Sequence, residues 1–164
     1  MSTLHVIRLR GPWQFTPLAR FVAESSGDSV RLVESTDGLP PSGQLQMPAD
    51  WSELLGREFR GRVEYRRRFG RPTGIDSGRR VWLVCDGADA WAALTLNGQR
   101  LGDVDGPAAR AEFDITERLQ ERNEITATVE CPRRTDDGQG VDRGNRTSLP
   151  GGLIGETRLE IRDG

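Results

Sequence analysis

The chain reads as an all-β protein, one jelly-roll-type β-sandwich over residues 1–164. Three observations lead there. Asn97-Gly98 joins the run Ala92 to Leu96 to the run Gln99 to Val104, and this dipeptide is the strongest short hairpin signal because both central residues of a type I′ turn need φ > 0. Short runs of alternating apolar and polar residues recur along the sequence, with turn signals roughly every 8–12 residues. Finally, 20 Gly and 9 Pro supply many chain reversals, which suits short strands paired in two sheets better than long helices.

Taken in order, Leu4 to Leu9 and Trp13 to Phe21 read as strands divided by Gly11-Pro12. Ser29 to Glu34 is a further strand. The stretch from Thr36 to Gly43 is rich in Gly, Pro and Ser, and is a loop rather than a linker because the segment before it is too short to fold alone. Asp50 to Leu55 has the pattern of a single helical turn capped by Asp50, with Trp51 packed inward. From Gly61 to Phe69 the residues alternate, placing Val63, Tyr65 and Phe69 on one face and Arg62, Glu64, Arg66 and Arg68 on the other. Val81 to Cys85 is apolar throughout, as expected of a central strand covered on both sides. After the Asn97-Gly98 hairpin, Ala111, Phe113 and Ile115 alternate. A short turn over Thr116 to Glu121 follows, with Asp114 as its cap and Asn123 bracing the return into the strand of Ile125, Ala127 and Val129. Thr157, Leu159 and Ile161 alternate in the last strand.

Composition excludes several classes of function. A formal net charge of −2 leaves no electrostatic footprint for nucleic acid and no polybasic membrane patch. All 23 basic residues are arginine, scattered and matched by 25 acidic ones; Arg66-Arg67-Arg68 is the one dense cluster, and strand alternation sends its members to opposite faces. Two cysteines, Cys85 and Cys131, make no disulfide framework and lack zinc-ligand spacing. The first residues carry no signal-peptide pattern and no run of about 18 apolar residues occurs, so the expectation is a soluble, cytoplasmic protein. Asn145-Arg146-Thr147 matches a glycosylation sequon that such a location leaves unused. His5, the only histidine, lies in a strand and is read as structural, so no Ser-His-Asp or Cys-His arrangement is built elsewhere.

Antiparallel succession from Val81 onward makes the loops alternate between the two ends of the sandwich. The Asn97-Gly98 turn and the 116–122 turn fall at one end. The 86–90 turn, the 103–110 loop and the long 131–152 connection fall at the other, gathering Asp86, Asp89, Asp103, Asp105, Asp136, Asp137 and Asp142 beside Trp91. A connection longer than about 12–15 residues inside a compact domain is commonly functional or disordered, and both readings stay open.

The motifs Gly61-x-Val63-x-Tyr65-Arg66-Arg67-x-Phe69, Val81-x-Leu83-x-Cys85-Asp86-Gly87, Leu96-Asn97-Gly98-x-x-Leu101-Gly102, Phe113-Asp114-Ile115-Thr116 and Asn123-x-Ile125 come in that order. Upstream stand Gly11-Pro12-Trp13-x-Phe15 and Met47-Pro48-x-x-Trp51; downstream stands Gly151-Gly152-Leu153. Together they resemble the N-terminal sugar-binding domain of family 2 glycoside hydrolases, the β-galactosidase and β-glucuronidase relatives. The resemblance implies a galactose-binding-like jelly roll. It also implies that the acid/base and nucleophile glutamates belong to a barrel beyond an immunoglobulin-like domain. This sequence reaches Gly164 without either, so no catalytic residue carries over.

The expected function is therefore a non-catalytic module that binds a carbohydrate or packs on a partner glycoside hydrolase chain. Trp91 is the expected apolar platform, with Asp86, Asp89, Asp105 and Asn145 as convergent polar groups. Calcium near Asp136, Asp137 and Asp142 is a further expectation, because hard oxygen ligands suit it. Two alternatives remain. One is a structural or protein-interaction sandwich with no sugar affinity. The other is a glycoside hydrolase accessory subunit or weak enzyme whose aspartates meet the glycosidase requirement of two carboxyls, about 5–5.5 Å or roughly 6.5–9.5 Å apart. Asp in Gly-rich turns commonly serves turn chemistry instead.

Overall fold

A computed structural model describes residues 4–27, 29–75, 78–133 and 151–164. Along the chain run β1 (His5–Arg8), β2 (Trp13–Ser26), β3 (Ser29–Ser35), β4 (Gly43–Leu45), helix α1 (Ser52–Leu55), β5 (Gly61–Gly70), β6 (Arg79–Cys85), β7 (Trp91–Leu96), β8 (Gln99–Val104), β9 (Ala111–Asp114), a 3-10 turn at Thr116–Arg118, β10 (Arg122–Cys131) and β11 (Thr157–Asp163). They form two sheets. The smaller has the order β1-β11-β6-β9; the larger has the order β3-β2-β5-β10-β7-β8, with β4 added against β2. Every ladder is antiparallel. Among the described residues no helix is long and apolar enough to cross a membrane.

The period-two pattern decides which side chains meet between the sheets. From the larger sheet come Trp13 and Phe15 of β2, Val63 and Tyr65 of β5, Ala92, Leu94 and Leu96 of β7, and Ile125, Ala127 and Val129 of β10. From the smaller come Val81, Leu83 and Cys85 of β6 with Leu159 and Ile161 of β11. Trp51 closes one end of this core, edge-on to Phe59 with centroids 5.3 Å apart, and the preceding Asp50 Oδ1 accepts the Ser52 N–H at 2.8 Å. The expected turn is thus present, with Trp51 rather than Asp50 at its N-cap position and Asp50 bracing it from one residue further out.

Two elements depart from the expectation. β2 runs on to Ser26, pairing with β3 in register from Arg20↔Ser35 to Ser26↔Ser29. From Val22 to Ser25 every residue is exposed, and the extension is held by backbone pairing with β3 and an ion pair between Glu24 and Arg31 at 4.0 Å, which leaves no alternation to read. On β6, the outer side of Val84 is indeed fully buried, yet among the described residues no second layer of strands or helices covers it. Arg158 and Glu112 are its cross-strand neighbours, and the Arg162 guanidinium stacks 4.7 Å over the Trp82 ring. Arginine stems shield this apolar strand, and their heads lie in ion pairs with Asp86, Glu160 and Glu112.

At the hairpin, Asn97 and Gly98 have φ of 52° and 81°, as a type I′ turn requires. The Asn97 amide donates to Asn123 Oδ1 at 3.0 Å, and its own oxygen accepts the Glu124 N–H at 2.9 Å. Asn123 in turn accepts from Gln120 N at 2.8 Å, while Asp114 Oδ1 accepts from Thr116 N at 3.1 Å. Two turns distant in sequence are knitted into one end of the sandwich.

Candidate functional site

The opposite end gathers the loops expected there. Cys85 faces both Thr157 and Ala111, Ala92 faces Val104, and Trp91 faces Glu130, so the 86–90, 105–110 and 132–156 connections leave the sheets side by side. Backbone bonds lash them together. Asp89 and Gly152 exchange N–H···O bonds of 2.9 Å in both directions, Gly155 N donates to Gly87 O at 3.0 Å, and Ala88 N donates to Gly106 O at 3.0 Å. A further bond, Trp51 N to Gly151 O at 3.0 Å, ties α1's lead-in to the same strand return.

The expected polar groups divide into three environments. Trp91 starts β7 on the outer face of the larger sheet, half-buried, with the Arg133 guanidinium 4.8 Å above its ring. Arg133 Nη1 also lies 3.5 Å from Asp105 Oδ1, whose side chain is 71% exposed, so Trp91, Arg133 and Asp105 make one surface cluster. The indole Nε1 of Trp91 is buried without a hydrogen-bond partner among the described residues. Asp86 belongs to the smaller sheet instead, paired with Arg158 at 2.8 Å and near Arg110 at 4.0 Å. Asp89 is fully buried, and its Oδ2 accepts the Gly151 N–H at 2.8 Å. Asp103 pairs with Arg100 on β8. Asn145 and the calcium candidates Asp136, Asp137 and Asp142 lie outside the described residues, as does most of the 131–152 connection.

Around Asp86 the outer face of the smaller sheet carries a network of ion pairs. Arg158 Nε donates to Glu160 at 2.7 Å, Arg162 to Glu160 and Glu112 at 2.8 Å each, and Arg110 to Glu112 at 2.8 Å. Burial alone would raise the Glu160 carboxyl, but hydrogen bonds from Arg162 and Arg158 outweigh it and hold the group below its ordinary value. Hydrogen bonding to Arg162 does the same for Glu112. Carboxylates held ionised by arginine stabilise charge and are poor proton donors. No cluster of three or more His, Cys, Asp or Glu fit to hold a metal occurs among the described residues.

Sequence reasoning did not single out Arg133, Arg158 or Arg110. Alternation along β11 does place Arg158 and Glu160 on the outer face. Glu160 is flanked there by Arg162 of the same strand and by Arg110, just ahead of β9. Trp51 Nε1, buried beside Gly151, also has no hydrogen-bond partner among the described residues, while burial pushes the Tyr65 phenol, beside Gly152, well above its ordinary value despite a backbone hydrogen bond at Leu153.

The family model described as glycosyl hydrolase 2 galactose-binding domain-like matches residues 57–162. Among solved structures, the chain superposes on a β-glucuronidase from Bifidobacterium dentium in complex with coumarin-3-O-glucuronide, with a TM-score of 0.68 and 24% identity over 98% of this chain and 30% of that one. An FMN-binding β-glucuronidase from Facaelibacterium prausnitzii L2-6 gives a TM-score of 0.68 and 18% identity, over 98% of this chain and 23% of that one. For a Bacteroides uniformis β-glucuronidase the values are 0.68 and 19%, over 97% and 18%. The chain therefore spans less than a third of each of these structures, and the likeness is one of fold. No curated protein matches the sequence.

Proposed function

Since the chain belongs to the glycosyl hydrolase 2 galactose-binding domain-like family, we propose that it serves as a carbohydrate-binding-type module with no bond-breaking chemistry of its own. The observation that carries this reading is the Trp91–Arg133–Asp105 cluster at the loop end. An indole offers a flat apolar surface for the C–H face of a sugar ring; the Arg133 guanidinium now stacked over it gives way to the sugar and, with Asp105, supplies directed hydrogen bonds to its hydroxyls. Asp86, at the same end, adds a carboxylate already oriented by Arg158. Asp89 serves from below by holding Gly151.

Glucuronosides and galactosides are the first ligands to test, because the structural neighbours include β-glucuronidases. A glycan array followed by calorimetric titration is expected to find a sugar that binds, and Trp91→Ala is expected to abolish that binding while circular dichroism stays unchanged. Failure of the unaltered protein to bind any glycan would favour the other reading, in which the module packs against a glycoside hydrolase barrel. That reading draws on the same comparisons, where this fold occupies 18–30% of much longer chains. No hydrolysis of aryl glycosides is expected from these 164 residues. Turnover that a single Asp→Asn change removes would replace the proposal with an enzymatic one.

A further inference from the structure

At the end of the sandwich remote from Trp91, the larger sheet has a step. β2 pairs with β5 only as far as Gln14↔Arg66, and β4 pairs with β2 at Gln14↔Gln44. Beyond Arg66, β5 continues to Gly70 with β10 on its other side, where Arg67 faces Ile125 and Arg68 faces Glu124. The missing strand leaves a notch of about 180 Å³ lined by Pro12, Gln14, Gln44, Arg66, Arg67, Arg68 and Glu124. Strand alternation sends Arg66 and Arg68 to the outer face and Arg67 toward the core side. The notch cuts through the sheet edge, so all three arginines line it.

Two of those arginines are satisfied. Arg66 pairs with Glu64 at 2.6 Å and Arg68 with Glu124 at 3.2 Å. Arg67 is different: no carboxylate pairs with it among the described residues, and one Nη1 donates to the neighbouring Arg68 carbonyl. Its Nε is buried and has no hydrogen-bond partner, the one cationic atom in that condition among the described residues. A guanidinium with unused donors presents a fork that matches a planar oxyanion, and a buried unmet donor costs free energy until such a partner arrives.

We propose that this notch is an anion-recognition site for the carboxylate of a small polyhydroxylated acid of the uronate class. Arg67 takes the carboxylate, and the Gln14 and Gln44 amides, which both donate and accept, take adjacent hydroxyls. With Arg66 paired to Glu64 and Arg68 to Glu124, the positive charge left in the notch is that of Arg67, which favours an acid over its neutral counterpart. The volume is below the roughly 300–1,000 Å³ of sites for drug-sized ligands, which limits the occupant to one acidic sugar-sized group. The site is separate from the Trp91 cluster and uses none of its residues.

The test is an NMR titration of the full chain with D-glucuronate, D-glucose and inorganic phosphate in parallel. Saturable shifts at Gln14, Gln44 and Arg66–Arg68 with glucuronate, and none there with glucose, are expected. Arg67→Met keeps the stem's bulk in the sheet and is expected to weaken glucuronate binding at these residues by about tenfold or more. Gln44→Ala, at an exposed position, is expected to weaken it less and keeps the test valid if Arg67→Met does not fold. Equal shifts with glucose, shifts confined to the Trp91 end, or binding untouched by both variants would overturn the proposal. Phosphate binding as tight as glucuronate would overturn the uronate assignment by making the notch a general oxyanion site.

Discussion

Asp89→Ala probes the lashing that sets the candidate sugar-binding end. Asp89 is fully buried, and its Oδ2 accepts the Gly151 N–H at 2.8 Å across the gap between the β6–β7 turn and the return into β11. Truncation removes a charge-assisted hydrogen bond and leaves a buried donor without an acceptor, for a loss of about 2–3 kcal/mol. The reciprocal backbone bonds between Asp89 and Gly152 survive the change, so the sandwich still folds. In a chain of this size each kcal/mol moves the midpoint by about 2–4 °C, so Tm is expected to fall by about 4–12 °C. Urea denaturation followed by tryptophan fluorescence reads the same loss as a lower midpoint with an unchanged slope. Asp89→Asn keeps an acceptor oxygen and is expected to lose less than Asp89→Ala. A Tm within about 1 °C of the unaltered protein for Asp89→Ala would refute the reasoning, because it would mean that Gly151 is held without Asp89.

Gly151→Ala tests the same joint from the other side. A Cβ there would sit 2.3 Å from Trp51 Cε2 on a backbone with φ of 82°, so a loss of about 1–3 kcal/mol is expected in the same denaturation assay. Stability should also fall at both extremes of pH. The Glu160, Glu112 and Asp114 carboxyls are lower in the folded chain than their ordinary values, so their contribution is fully present above the unfolded range near 4.5 and is lost as pH falls through the folded values. The Tyr65 phenol is raised by burial above its ordinary value of 10, so its contribution is present below pH 10 and is lost as pH rises beyond that. Urea midpoints measured across pH 3–11 are expected to be flat in the centre as far as these groups are concerned. A midpoint that rose on acidification below 4.5 would contradict the ion-pair geometry on β11.

How far the sequence could be read depended on whether a feature was local. Asn97-Gly98, the alternation of Val63 and Tyr65, the turn after Asp50 and the Asp114 and Asn123 turns all involve residues within a few positions of one another, and each appears in the fold, the one after Asp50 with Trp51 at its N-cap position. The loop ends followed from counting antiparallel reversals. The site was less legible. Trp91 and Asp105 do come together, but through Arg133, which no spacing marks; Asp86 joins a separate network built by Arg110 and Arg158. Alternation sends the members of Arg66-Arg67-Arg68 to opposite faces, and only the end of the β2–β5 pairing at Gln14↔Arg66 brings them into one lined notch.

By itself, then, the sequence determined an all-β sandwich, its strand faces, its turn chemistry and the sorting of loops to two ends. These rest on backbone geometry, period-two burial and glycine or asparagine conformations, which neighbouring residues settle among themselves. Tertiary structure alone decided which charges meet. Arg158 reaches Asp86 across 72 positions, and Asp89 reaches Gly151 across 62, because sheet order rather than sequence distance makes them neighbours. A guanidinium finds its carboxylate, or goes without one as Arg67 does, only once the strands are laid side by side.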